Sequence, residues 1–113
     1  MIRDLLAALP KHAPEYLVFV RSLPSAASGR YGCHAHHRIG GRGSQRKTSD
    51  FEAMPLLPAE HDLLHSSMDD FVRLYGKTER EMIATTLLEA IRLGVLVLDK
   101  RAAMELSAEA KSA

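Results

Sequence analysis

Apolar and polar positions divide the chain into short elements punctuated by proline and glycine. Residues 1–9 (MIRDLLAAL) read as a short amphipathic helix that Pro10 limits. Over 14–23 (PEYLVFVRSL) the pattern predicts a second helix: Pro14 suits a first turn, and Leu17, Val18 and Val20 share a face. A short strand is the rival reading, because Val, Phe and Tyr favour sheets. Pro24 ends this element, and residues 24–30 (PSAASGR) are turn-like. Residues 31–39 (YGCHAHHRI) fit a strand whose alternate side chains point to opposite faces. A long loop follows at 40–50 (GGRGSQRKTSD), with three glycines and no apolar residue. Residues 51–57 (FEAMPLL) return as a second short strand, so a hairpin with a wide basic loop is expected.

Pro58 opens a helix, PAEHDLLHSSM, with Glu60 and Asp62 in a position to favour its N-terminus. A helix from about Ser67 to Tyr75 should stop at Gly76. The clearest helix is 79–93: Thr78 stands at its N-cap, Glu81 follows three residues later, and Ile83, Leu87, Leu88 and Ile91 form an apolar stripe. Gly94 should end it, VLVLD reads as a short strand or a continuation, and the tail RAAMELSAEAKSA is a helix former with weak patterning.

These elements predict an α+β protein in which a two-stranded hairpin and a helix are surrounded by further helices, with a helical C-terminal part. The 113 residues suit one domain. Within it, 14–76 form the expected core and 77–113 a helical extension. With 46% apolar and 26% charged residues, the chain has the composition of an ordinary globular protein. No apolar run approaches the ~18 residues of a membrane span, and the charged N-terminus lacks a signal-peptide core, which predicts a cytoplasmic protein. One cysteine, Cys33, excludes an internal disulfide and suits a buried spectator thiol.

The net charge of +1 conceals a strong asymmetry. Residues 30–49 hold Arg30, Arg38, Arg42, Arg46 and Lys47 with no acid, a local +5. Residues 50–72 hold Asp50, Glu52, Glu60, Asp62, Asp69 and Asp70 with no Lys or Arg, a local −6. A basic cluster suits a polyanion, whose counterions are released on binding; a solvated loop followed by a solvated helix face is the plainer reading.

Five of the six histidines lie between residues 34 and 65. His61 and His65, four apart on a helix, share one face and can grip one metal ion. His36 and His37 are adjacent on a strand and point to opposite faces. His36 can therefore join His61 and His65, leaving His37 as a general base that activates water. Either pair alone arises readily by chance; their combination is more specific. His12 and His34 read as solvated surface residues.

The stretches AHHRIGGRG (35–43), KTSD (47–50), MPLL (54–57) and EHDLLH (60–65) resemble the HNH endonucleases, the His-Me finger or ββα-metal group. Within that group they are most similar to small phage and prophage proteins related to the RecA-dependent nuclease Ref, and EYLVFVRSLP (15–24) resembles their lead-in segment. The resemblance covers roughly residues 14–76 and is strong only over 35–65. It implies a metal-dependent endonuclease that hydrolyses DNA phosphodiester bonds in phage or prophage recombination or DNA processing. His36, His61 and His65 would hold the metal, and His37 would be the base. Asp50 stands where the group commonly has Asn; it would orient His37, or enter the metal shell through water. Arg38, Arg42, Arg46 and Lys47 would hold the DNA backbone.

Relatives in that group often carry structural cysteines where this chain has Ser25, Ser28 and Leu57. No structural zinc is therefore expected, with apolar packing in its place. Glu60, where relatives often have His, reads as a helix-start charge. Three imidazoles suggest one zinc, nickel or manganese ion, and coordination by Asp50 would favour magnesium or manganese. DNA is the expected partner, with targeting by a recombinase filament and a homodimer through the 79–98 apolar stripe as further expectations. The alternative is a non-catalytic DNA-binding or dimeric interaction module that keeps the HNH fold.

Overall fold

The computed structural model describes residues 12–39, 48–97 and 100–112. The helix expected over 1–9 and the loop residues 40–47 lie outside them. Helix α1 (Pro14–Ser22) is followed by strand β1 (His34–His37), a single 3₁₀ turn at Asp50–Glu52, and strand β2 (Ala53–Leu56). Helices α2 (Pro58–Ser66), α3 (Met68–Tyr75), α4 (Glu79–Arg92) and α5 (Lys100–Ser112) complete the order. The chain is thus a small α+β protein built on one antiparallel hairpin. None of the described helices is long and apolar enough to cross a membrane.

Local chemistry explains most boundaries. Pro14 and Pro58 stand in the first turns of α1 and α2, where a missing N–H costs no helical bond. The Ser67 hydroxyl accepts from Asp70 N–H to start α3, and Gly76 ends it in the left-handed region at φ 69°. Thr78 and Glu81 form the expected capping box of α4. Residues 14–22 are helical, so the strand alternative fails. Tyr16 and Val20, one turn apart, are buried, whereas Val18 is 56% exposed and leaves the face it was expected to share.

The hairpin pairs His34 with Leu56, Ala35 with Pro55, His36 with Met54 and His37 with Ala53. Every β2 residue is buried. Met54 and Leu56 enter one core cluster with Ala27, Leu64, Phe71 and Met82. Ala53 enters another with Tyr16, Val20 and Ala90. The sheet therefore separates two small cores, and β1 presents one chemical face toward each.

Helix α4 corrects the expected stripe. Its buried positions are Glu79, Met82, Thr86 and Ala90. Ile83 and Leu87 pack partly at the edges of the two clusters. Leu88 and Ile91 are 65% and 55% exposed. The buried face is rotated by about one residue, roughly 100°. Small side chains such as Thr86 and Ala90 let α4 lie close to β2, where Leu or Ile would overfill the space. Residues 95–97 form no strand.

Candidate functional site

Strand periodicity divides the histidines as their spacing implied. His34 and His36 lie on the α2 side of β1, with ring centroids 6.1 Å apart. The His36 ring stacks on His61 at 3.6 Å, and His61 meets His65 edge-on at 4.4 Å. Helix α2 places the last two one turn apart, and Leu64 anchors that helix in the core. His36, His61 and His65 are thus brought together by a strand and a helix.

Burial, and then the nearby His61, His34, His65 and His37, push the His36 pKa down to about 4. Burial first, and then His65, also lower that of His61, against a smaller opposing effect of Asp62. Both rings are therefore neutral near pH 7, the form in which imidazole binds a metal. The His36 Nε2 atom is buried and lacks a hydrogen-bond partner. An orphaned imidazole nitrogen with two more imidazoles close by has the donor chemistry of a divalent ion of borderline softness. As the rings stand they stack, and among the described residues no three His, Cys, Asp or Glu donors are arranged as a ready metal site. Binding an ion requires side-chain rotation.

His37 lies on the opposite face of β1. Its Nε2 is 2.8 Å from Asp50 Oδ1. Asp50 Oδ2 accepts from the Ala13 N–H at 2.7 Å. Burial raises the Asp50 pKa, but the Ala13 and His37 hydrogen bonds, with the charges of His37 and His12, outweigh it and hold the carboxyl below its ordinary value. An ionised carboxylate only accepts hydrogen bonds, so the proton between them sits on His37 Nε2, which leaves Nδ1 as the ring nitrogen able to act as acceptor. Asp50 is thus hydrogen-bonded to His37, the residue that the resemblance pairs it with.

Sequence reasoning did not place His12 or Arg80 near these groups. His12, 87% exposed in its side chain, stands with Nδ1 3.8 Å from Asp50 Oδ2. Arg38, the described member of the expected DNA-contact set, donates from Nε to Glu52 at 2.5 Å. Arg42, Arg46 and Lys47 lie outside the described residues. Beyond Arg38 a cleft of about 410 Å³ is lined by Arg38, Glu52, Arg80, Ile83, Ala84 and Leu87. Arg80 belongs to no basic run in the sequence. The N-terminus of α4 meets the chain two residues beyond β1, where Ile39 N–H donates to Glu79 at 2.7 Å.

Where apolar packing was expected in place of a zinc, a polar network stands. The Ser25 hydroxyl donates to Glu60 Oε1 at 2.6 Å and accepts from Ala27 N–H at 3.0 Å. The same Glu60 oxygen accepts from Leu57 N–H at 2.8 Å, so the helix-start charge also ties α2 to the 24–28 turn. Cys33 is buried, and its thiol faces the Arg30 carbonyl at 3.5 Å. Burial, and then Glu60, raise its pKa, which favours an inert thiol.

The family model described as "Protein of unknown function (DUF968)" matches residues 8–94, more than half of the chain. No curated protein and no solved structure matches.

Proposed function

The chain belongs to the DUF968 family of proteins of unknown function, and from that premise we propose that it is a metal-dependent endonuclease of the HNH type. Its substrate is DNA, and the hairpin with α2 is its ββα-metal finger. The observation that carries this reading is the division of adjacent histidines across β1. His37 engages Asp50 on one face, while the His36 ring, with a buried and unpartnered Nε2, lies against His61 and near His65 on the other.

Phosphodiester hydrolysis needs a base for water and stabilisation of charge on the phosphate and leaving oxygens. His37 takes the water proton at Nδ1, and Asp50 stabilises the resulting imidazolium through Nε2–H. His36, His61 and His65 would hold the divalent ion. When bound, such an ion supplies Lewis-acid stabilisation of the developing negative charge. Arg38 and Arg80 flank the strand end at which the DNA backbone would continue.

Plasmid cleavage by the metal-stripped protein, with Mg²⁺, Mn²⁺, Zn²⁺ or Ni²⁺ added back, tests the reading beside His37→Ala. Nicking restored by metal and lost in the variant is expected. A folded protein that cuts with none of these ions would overturn it. An interaction module is the second reading, favoured by Leu88, Ile91, Val95 and Val97, which expose a large apolar surface at the end of α4. Sedimentation of the protein and its Leu88→Lys variant distinguishes a dimer built on that surface from a monomer.

A further inference from the structure

His34 was read from the sequence as solvated. In the fold it stands two residues before His36 on the same strand, and side chains two apart on a strand share a face. That face is turned toward His61, on which His36 stacks. Four imidazoles therefore form a continuous array, two from a strand at i and i+2 and two from a helix at i and i+4. His34 differs from His36 in being exposed.

Ring separations test whether the array can serve one ion. With metal–nitrogen distances of about 2.0–2.1 Å, two imidazoles on a common ion place their centroids roughly 4.5–6.5 Å apart, according to the angle between them. At a tetrahedral angle the spacing is about 5.2 Å, so the His34–His36 separation of 6.1 Å must shorten by about 1 Å and the His61–His65 separation of 4.4 Å must widen by about 1 Å. The His36–His61 stack, at 3.6 Å, must open the most, by roughly 1.5 Å, with rotation of the rings so that their nitrogens converge. Rotation of exposed His34 meets less steric resistance than rotation of a core side chain.

We propose that His34 is a fourth nitrogen ligand of the same ion, so that this chain holds its metal through His34, His36, His61 and His65. The inference rests on the three-histidine reading above and extends it. Four imidazoles select zinc, nickel or copper(II) over magnesium, which requires oxygen donors. A tetrahedral site closed by four side chains leaves substrate to enter by expanding the coordination sphere or by displacing a ligand. His34, as the exposed member, is the ligand to be displaced.

The experiment uses the full chain and reads metal binding without activity. Zn²⁺ affinity is measured by calorimetry for the wild type, His34→Ala and His12→Ala. Cu²⁺ is then the spectroscopic probe, and its nitrogen hyperfine pattern counts coordinated imidazoles. The expected result is four nitrogens in the wild type and His12→Ala, three in His34→Ala, and Zn²⁺ binding weakened on the order of a hundredfold in His34→Ala alone. Circular dichroism verifies that the exposed substitution leaves the fold intact. Three nitrogens and equal affinity in all proteins would overturn the fourth ligand while leaving the three-histidine site standing. Failure of the wild type to bind either ion would overturn both.

Discussion

Replacing Asp50 by Asn separates the two tasks of this carboxylate. The group that the chain resembles commonly carries Asn at this position, so a silent substitution is the simple expectation. Geometry argues otherwise. Asp50 accepts two hydrogen bonds, from Ala13 N–H at 2.7 Å and from His37 Nε2 at 2.8 Å, on different oxygens. Asparagine offers one acceptor oxygen and one donor amide. If its oxygen stays with Ala13, the amide faces His37 Nε2 and forces the proton onto Nδ1. The base is then blocked, a tautomer reversal worth about 10⁴ in turnover, or roughly 5.5 kcal/mol of barrier. If the oxygen turns to His37, the Ala13 N–H faces an amide and stability falls by about 1–3 kcal/mol.

Three measurements distinguish the branches. Single-turnover plasmid nicking reads the base, thermal melting reads the orphaned N–H, and nitrogen NMR of the His37 ring reads the tautomer directly. The first branch gives slow cleavage, near-native melting and exchanged ring shifts. The second gives retained cleavage and a lower melting point. A variant that cleaves within threefold of wild type, melts unchanged and keeps its ring shifts would refute the claim that Asp50 needs both acceptors.

Substituting Arg80 by Gln should weaken DNA binding and reduce the slope of log affinity against log salt by about one, as expected for the loss of one phosphate contact; an unchanged slope removes the α4 cleft from the interface. Ser25→Ala deprives the buried Glu60 carboxylate of its hydroxyl donor and should cost about 1–3 kcal/mol by chemical denaturation, because Leu57 N–H alone remains on that oxygen. The folded His36 pKa of about 4 lies below its ordinary 6.5, so the unfolded chain binds the proton more tightly in that window. Its contribution to stability is therefore complete above pH 6.5 and lost as pH falls toward 4, and His36→Gln should flatten this limb of a urea-midpoint profile.

What was legible in the sequence is local in the chain. The Thr78–Glu81 box, the Gly76 cap and the prolines opening α1 and α2 each act within one turn of helix. The division of His36 from His37 follows from the period of a strand, and the His61–His65 pair from the period of a helix. Contacts that close over long separations were hidden. Ser25 meets Glu60 across 35 residues, Ala13 meets Asp50 across 37, and Ile39 meets Glu79 across 40. The buried face of α4 was hidden for another reason. Apolar residues occupy both of its sides, so periodicity alone could not choose between Met82–Thr86–Ala90 and Leu87–Leu88–Ile91. The surface presented by β2 makes that choice, by admitting small side chains.

Strand β2 bears no candidate catalytic group, yet it determines which histidine does which work. A one-residue slip of β1 against β2 would exchange the faces of His36 and His37. His36 would turn toward α1, where Tyr16 and Val20 fill the core, and His37 would turn toward His61. Side-chain size opposes that slip. Met54 and Leu56 fill the cluster beneath α2, α3 and α4, whereas Ala53 occupies the narrow space near Tyr16 and Ala90. With β2 fixed by that packing, a slipped β1 would drive an imidazole into the space beside the Tyr16 cluster where Ala35 now packs, an overpacking error of roughly 1–3 kcal/mol. The packed faces of β2, together with the small Ala35 of β1, thus hold His36 toward its two partner imidazoles and His37 against Asp50.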